Sequence, residues 1–372
     1  MANAQDVTEM MNAVVFKAGR MLSAPYQPHS IPLELYVNGV YMGCYALTEH
    51  IGIHNNCVDE DDFTLMIELD DYWDEPQTQK FKSPHYNLPV NVKNPDFSEA
   101  GCPITLAEVK EDWGEFEKAL KLHKDITQYV NVDTFAIFMF MNDLSGNAEL
   151  NHPKSTFLYK PTGTDKYIWG PGWGFDWGFG YQAYGAYFLS YSFETIGVMS
   201  GEGKTFFADM MKNEDVIEAY YKLWLRFVEN DGVNELINWM DDYYAYAEPS
   251  YAHSAEVGWL NTSYATYFET FKTWIRNRVR YLYENLTVPT GIYDDITAEW
   301  DDKGDSNNGI IVSVKNGMLS VESTENTTLK IYRVDGSVAG EIEVGEGSNL
   351  YPLAPRGVIF VNGQKIYLKP VR

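Results

Sequence analysis

Two polar stretches of the sequence carry acidic residues in settings that could support chemistry. The apolar run at residues 135–141 turns polar at once, and Asp143 and Asn147 lie in the polar part. In the second stretch, residues 169–180, Asp176 lies among glycines and aromatic residues. Glycine lets a backbone approach a ligand closely, and rigid surroundings hold a carboxylate in place. Both stretches are therefore candidates for a site built on fixed carboxylates.

The chemistry that fits this pair of stretches is phosphoryl transfer. In that reaction one Asp orients the attacking hydroxyl, and an Asn a few residues later holds a metal ion. A second Asp, followed by an aromatic residue and Gly, holds Mg²⁺ at the phosphates. Asp143, Asn147 and Asp176-Trp177-Gly178 follow this order. The spacing fits ordinary turn and helix-cap acids as well, so both interpretations stay open at this point.

The clearest element around these residues is a β-hairpin. Alternating runs at 33–37 and 41–47 flank Asn38-Gly39, a pair that favours the positive φ angles of a two-residue turn. By the same signals we expect further strands at 63–69, 156–160 and 166–169.

Periodic apolar residues predict helices at 5–24, 105–142, 203–230, 232–247 and 262–287. Residues 135–141 have no polar face, which predicts a buried central helix. The apolar stripe of the last helix leaves Arg276, Arg278 and Arg280 largely outside it, so we expect these three side chains to be solvated.

Composition excludes several classes of protein. The chain has 53 acidic and 28 basic residues and a formal net charge of −25, which opposes binding to a nucleic-acid backbone. An apolar content of 45% excludes a disordered chain. No apolar run is long enough for a transmembrane segment, and no signal peptide is visible in this chain.

Two local features leave alternatives open. Three cysteines are too few for a disulfide framework or a zinc site, and Cys44 and Cys57 could be packed thiols or one bridge. The many acids at 59–75 fit a solvated loop or a cation site, although EF-hand spacing is missing.

Residues 310–372 alternate with period two and are broken by Gly and Asn, which predicts a small antiparallel β module of five to seven strands. The expected linker is 294–308. We therefore expect an α+β chain with one domain at 1–289 and a second at 290–372.

Four stretches of the larger domain resemble the CotH protein kinase family. They are the hairpin at 33–49, the strand at 65–69, the segment 152–160 and the glycine-rich segment 169–180. The resemblance implies an atypical, extracytoplasmic protein-kinase-like fold that uses ATP and a divalent metal, Mg²⁺ or Mn²⁺.

The resemblance also implies roles for individual residues. Asp143 looks like the catalytic-loop acid, and Asp176 like the metal-binding acid. Asn147 would bind metal and nucleotide with them. Glu49 closes the second hairpin strand, where a kinase hinge meets adenine, and Glu68 matches a recurrent family Glu; both are expected to bind the cofactor.

Two departures from the family pattern concern the same site. Gly174 stands where the family often has an Asp before the aromatic residue, which would weaken metal binding. The N-terminal region that carries the family's phosphate-binding cations precedes the part matched here, so the N-terminal part of the fold is expected to be reduced. Candidate replacements for those cations are Lys80, Lys82, Lys93 and Lys154.

The β module resembles terminal β-sandwich domains of secreted proteins from Bacteroidetes-type bacteria. It implies export or surface display, with a native signal peptide that this chain lacks. The sequence thus predicts a kinase that transfers phosphate from ATP to hydroxyls of secreted or surface proteins, and that is inactive if its N-terminal part is truly short. The alternative is a non-catalytic surface protein whose 27 Tyr and 10 Trp bind a glycan or protein partner.

Overall fold

The computed structural model describes residues 6–59, 64–182, 186–258, 264–287, 310–315, 318–333, 338–352, 357–361 and 364–368. Among these residues, the helices are α1 (Met11–Met21), α2 (Leu106–Lys121), α3 (Val132–Ser145), α4 (Thr195–Val198), α5 (Gly201–Met210), α6 (Glu214–Glu229), α7 (Gly232–Glu256) and α8 (Tyr264–Glu284).

The strands of the larger domain are β1 (Ser30–Val37), β2 (Val40–Thr48), β3 (Leu65–Leu69), β4 (Lys80–Lys82), β5 (Pro89–Asn94), β6 (Thr156–Lys160) and β7 (Ile168–Gly172). Those of the C-terminal module are β8 (Ile310–Lys315), β9 (Met318–Ser323), β10 (Thr327–Arg333), β11 (Val338–Val344), β12 (Gly347–Pro352), β13 (Gly357–Val361) and β14 (Gln364–Leu368). This mixture of helices and antiparallel sheets confirms the α+β class.

A five-stranded antiparallel sheet in the order β4-β5-β3-β6-β7 forms the centre of the larger domain. One face packs on the main apolar core, which includes Ile67, Val90 and Leu158. The opposite face is covered by the segment around Ile51 and Cys57, which packs on Phe157. Because side chains alternate along a strand, residues of the outer face are those one position away from the core residues.

Helix α3 confirms the prediction of a buried central helix. Its residues 135–141 are all at most 7% exposed, and it packs against α1, α6, α8 and β7. Asn131 caps its N-terminus by accepting a hydrogen bond from the N–H of Thr134. Gly146 ends it in the left-handed conformation, a common way to stop a helix. The polar residues that follow α3 are therefore delivered to one end of the sheet.

The β1–β2 hairpin is also confirmed, with Asn38 and Gly39 both at positive φ. It forms a separate two-stranded sheet that packs on α7. The hydroxyl of Tyr41 lies 2.5 Å from that of Ser254, and His253 contacts Glu34 at 2.8 Å. Cys44 and Cys57 are both buried free thiols, so the bridge considered between them is not formed.

Several predictions made for the helices differ from the structure. The block predicted at 105–142 is divided between α2 and α3, and the one at 203–230 between α5 and α6. The prediction that Arg278 is solvated is wrong: this side chain is fully buried in α8.

The described residues of the C-terminal module form two antiparallel sheets, one of three strands and one of four. Residues from both sheets form a small apolar cluster of their own: Ile310, Leu319, Val321, Leu329 and Val344. No helix among the described parts of the chain is long and apolar enough to cross a membrane.

Candidate active site

Asp176 follows β7 in a segment whose backbone runs close to Glu149. Gly174 has a φ of +71°, and a Cβ added to it would lie 3.5 Å from Oε2 of Glu149. Glycine adopts this φ without the strain that other residues meet. The side chain of Asp176, two residues later, is half-buried.

Asn147 connects the two polar stretches. Its amide Nδ2 donates to Oδ1 of Asn142 at 3.1 Å and to the carbonyl of Gly174 at 3.3 Å. Its Oδ1 accepts from the N–H of Glu149 at 3.1 Å and so caps the 3-10 turn at 148–151. The structure therefore ties Asn147 to the segment that carries Asp176. The metal-binding role of Asn147 stays a prediction, since its oxygen already accepts this bond.

Glu149 is the acid that faces Asp176. Burial, followed by the charge of Asp176, raises the pKa of Glu149 to about 7, and the charge of Lys154 partly opposes this. A carboxyl with a pKa near neutral pH can both accept and release a proton under physiological conditions. Such perturbed groups occur more often at functional sites than elsewhere.

The end of β3 supplies the third side of this site. The N–H of Ser155 donates to Oδ2 of Asp70 at 3.3 Å, and the N–H of Asp71 donates to the carbonyl of Pro153 at 2.9 Å. Lys154 Nζ lies 3.9 Å from Oδ1 of Asp71 and 3.7 Å from the ring centre of Tyr72.

We call Asp71, Glu149, Lys154 and Asp176 the carboxylate site. Trp177 lies at its margin, with its ring centre 5.9 Å from Lys154 Nζ and stacked at 5.7 Å on Tyr181. Lys154 thus lies beside Asp71 and Trp177, and the charges of Asp176, Lys154 and Asp71 act on Glu149.

The donor chemistry of the carboxylate site fits a hard divalent cation. Carboxylate oxygens are the preferred ligands of Mg²⁺ and Mn²⁺, and Mg²⁺ at nucleotide sites is usually held by one or two of them together with phosphates. The charge of Asp176 contributes to the raised pKa of Glu149, a repulsion that a cation would relieve. Within the described residues, no group of three or more His, Cys, Asp and Glu forms a metal cage.

Asp143 is buried among partners of its own. Its Oδ2 accepts a hydrogen bond of 2.6 Å from the hydroxyl of Tyr220, and its backbone carbonyl accepts one of 2.8 Å from Nε of Arg278. Burial raises the pKa of Asp143, whereas hydrogen bonds from Tyr220 and Thr195 and the charge of Arg278 lower it in part. The catalytic role that the sequence suggested for Asp143 stays a prediction.

Glu49 and Glu68 lie in other surroundings. Glu49 directly follows β2 of the hairpin, and its carboxylate lies 3.0 Å from Nδ1 of His29. Glu68 is on the outer face of the sheet, 3.5 Å from Nζ of Lys93, which also pairs with Glu75 at 2.5 Å. Nucleotide binding by Glu49 and Glu68 stays a prediction.

The four candidate lysines have different partners in the structure. Lys154 belongs to the carboxylate site, whereas Lys93 is paired with Glu68 and Glu75. Lys80 and Lys82 lie 4.5 and 5.3 Å from the ring centre of Trp73. Lys154 is therefore the best placed of the four to meet a phosphate beside Asp176.

Sequence reasoning missed Glu149 and singled out Asp71 only as one of many acids. The available signal for Glu149 was its position in the same polar stretch as Asn147, ahead of the strand pair that leads to Asp176. The burial that raises its pKa depends on residues far away in the chain, so the sequence carried no sign of it.

Comparison with known proteins places the chain in a family. Residues 1–282 match the family described as CotH kinase protein. This range includes the five-stranded sheet, α3 and all four members of the carboxylate site. The search of curated proteins gives no match. The match spans more than half of the 372 residues, and the chain therefore belongs to the CotH kinase protein family.

Proposed function

We propose that the carboxylate site transfers the γ-phosphoryl group of ATP to a protein hydroxyl. The observation that carries this proposal is the convergence of Glu149, Asp176 and Lys154 at the end of the sheet, in a chain of a kinase family. Phosphoryl transfer requires a group that orients the nucleophile, an acid that holds the metal, and positive charge at the phosphates. Each of the three residues supplies one of these requirements.

In the proposed reaction, the carboxylate of Glu149 accepts the proton of the acceptor hydroxyl. The hydroxyl oxygen forms a bond to the γ-phosphorus while the bond from that phosphorus to the bridging oxygen of ADP breaks. Lys154 faces the negative charge of the phosphates. A divalent metal held by Asp176, with Asn147 as its predicted second ligand, would neutralise charge on the β- and γ-phosphate oxygens.

We assign the catalytic acid–base role to Glu149 rather than to Asp143. The carboxylate of Asp143 is buried and bonded to Tyr220, so an acceptor hydroxyl would have to displace that bond. Asp143 then serves as a positioning residue at the end of α3. Glu49 remains the candidate for contact with adenine.

The test combines binding and transfer measurements on the full chain. Calorimetric titration measures Mg·ATP affinity, and labelling with γ-³²P-ATP measures transfer to the protein itself or to a generic acceptor protein. We expect Asp176→Asn to weaken Mg·ATP binding at least about tenfold, because loss of even an outer-shell partner costs about 10–100-fold at other metal sites. Glu149→Gln should bind Mg·ATP normally and label about 10²–10⁴-fold more slowly.

Two further variants complete the test. Asp143→Asn should reduce thermal stability with less effect on labelling than Glu149→Gln. Glu115→Gln removes an exposed acid whose partner is Lys118, and it should behave as the wild type. Labelling that is absent in the wild type, or equal in the wild type and Asp176→Asn, would contradict the proposal.

The acceptor class is the broader part of the proposal. From the resemblance of the C-terminal module to those of exported proteins, we propose that the acceptors are secreted or surface proteins. The alternative, a non-catalytic glycan- or protein-binding surface, stays a prediction; the full burial of Trp113, Trp169 and Trp224 assigns these three rings to the core.

A further inference from the structure

The segment that carries Asp176 is held from outside the sheet by helix α1. Asn12, on α1, accepts a hydrogen bond of 2.8 Å from the N–H of Phe175 through its Oδ1. The Asn12 side chain is 4% exposed. A buried side-chain amide of this kind fixes the orientation of the backbone group that it binds. It also stabilises the fold, because leaving either partner unpaired would cost about 1–3 kcal/mol.

Gln27, just beyond α1, holds the same segment at its beginning. Its Oε1 accepts from the N–H of Gly172 at 2.9 Å, and its Nε2 donates to the carbonyl of Gly172 at 3.1 Å. Strand β7 is at the edge of the five-stranded sheet, and Gly172 pairs with Thr156 of β6 on its inner side. On its outer side, the side chain of Gln27 therefore takes the place of a further strand.

Between the hydrogen bonds made by Asn12 and Gln27, apolar contacts also hold the segment. Phe16 of α1 stacks on Trp173 with ring centres 5.8 Å apart and meets Phe175 edge-on at 6.2 Å. Asn147 holds the carbonyl of Gly174 from the opposite side. Every residue from 172 to 175 is thus fixed by a hydrogen bond or a ring contact, and Asp176 is the next residue in the chain.

We infer that Asn12 and Gln27 are positioning residues that set the place of the Asp176 carboxylate for its cation. This inference rests on the proposed function, because it assumes that Asp176 holds a metal ion at the nucleotide. Neither residue touches the carboxylate site in its own right. Both act through the backbone of 172–175, in the way that residues behind metal ligands orient them.

The experiment measures Mn²⁺ binding by calorimetry in the presence of a non-hydrolysable ATP analogue, with thermal denaturation recorded on the same samples. We expect Asn12→Ala and Gln27→Ala each to weaken Mn²⁺ binding by about 10–100-fold, as loss of an outer-shell partner does at other metal sites. Should an alanine variant be unfolded, the near-isosteric Asn12→Leu and Gln27→Met retain packing while removing the hydrogen bonds, and they are expected to show the same loss.

Gln79 offers a matched control. It is also a buried glutamine that holds backbone: its Nε2 donates to the carbonyls of Val92 and Pro95, and its Oε1 accepts from the N–H of Phe97. Gln79→Ala should lower the melting temperature comparably and leave Mn²⁺ affinity unchanged.

The outcomes separate the inference from the proposed function. Wild-type Mn²⁺ affinity in folded Asn12 and Gln27 variants would overturn the inference and leave the proposed function intact. Equal losses in the Gln79 variant would also overturn it, since the effect would then be one of general stability. A wild-type chain that binds no Mn²⁺ with the nucleotide analogue would remove the proposed function itself, and the inference with it.

Discussion

Glu68 is a half-buried acid whose charge is only partly compensated. Its side chain is 13% exposed and lies 3.5 Å from Nζ of Lys93. Burial raises the pKa of Glu68 to about 7, against a smaller opposing effect of Lys93. The folded chain therefore holds a proton on this carboxyl at pH values where an unfolded chain has released it.

This shift predicts that the pH dependence of stability is smaller in Glu68→Gln than in the wild type, while Glu149, whose pKa is also raised to about 7, contributes equally to both. Between pH 4.5 and 7 the native state binds more protons than the unfolded state, so the contribution of Glu68 to the free energy of unfolding falls as the pH rises, by about 3 kcal/mol in all. Urea denaturation at pH 5 and pH 7.5 measures this difference. The exposed Glu115→Gln variant should keep the wild-type dependence, and an equal dependence in Glu68→Gln would contradict the prediction.

At the residue scale, the sequence singled out Asp176 and Asn147 as candidates because of the residues next to them in the chain. Gly174 beside Asp176 and the end of an apolar helix before Asn147 are visible in the chain itself. The environment of Asp143 was not visible, because Tyr220 is 77 residues away. Whether a carboxylate faces a cleft or a buried tyrosine is decided by such distant partners.

Among the elements, α8 holds the segment after Asp176 through one buried side chain. Arg278 donates from Nη1 to the carbonyl of Tyr191 at 2.8 Å and from Nη2 to the hydroxyl of Thr195 at 3.0 Å. It also bonds the carbonyl of Asp143 and lies over the ring of Phe193. One guanidinium thus joins α3, α8 and the chain between β7 and α4.

We expect Arg278→Ala to lower the free energy of unfolding by about 3–5 kcal/mol, because several buried groups lose their partner at once. Arg278→Lys should recover little of this free energy of unfolding, since an ammonium cannot reproduce the planar fork of a guanidinium. Chemical denaturation measures both variants. Lys272→Ala on the same helix removes a more exposed pair with Asp241 and should cost about 1 kcal/mol or less; equal effects at 278 and 272 would refute the prediction.

At the element scale, periodicity predicted where α8 lies but not what covers it. An apolar stripe indicates one buried face of a helix. Arg278 falls outside that stripe and is nevertheless buried, because α8 contacts α3, α7 and the chain after β7. The hairpin was predicted well because the conformations of Asn38 and Gly39 are a local property of those two residues.

On the scale of the whole molecule, the described residues form one large apolar core in the larger domain, with small clusters around Cys57 and Cys44 beside it, and a separate core in the C-terminal module. The larger core joins α1, the five-stranded sheet and the helices. The smaller one consists of Ile310, Leu319, Val321, Leu329 and Val344. The two cores share no residue, and the family match ends at residue 282, before the smaller one begins.

Two cores predict two unfolding transitions in scanning calorimetry. Leu319→Ala should lower only the transition of the C-terminal module, and Phe140→Ala only that of the larger domain, because each removes a fully buried side chain from one core. Truncations of this kind typically cost about 2–5 kcal/mol. A single transition that both variants shift equally would contradict two independently folding domains.

The sequence by itself determined the local architecture: the hairpin, the buried α3, the alternating C-terminal strands and the glycine-rich segment of Asp176. These follow from the conformational preferences and periodicity of residues close together in the chain. The tertiary structure alone decided that Glu149 and Lys154 meet Asp71 and Asp176, that Asp143 turns toward Tyr220, and that Asn12 and Gln27 hold the chain before Asp176. These contacts join segments far apart in the chain, and burial, which sets the strength of charges and hydrogen bonds, exists only once those segments have packed together.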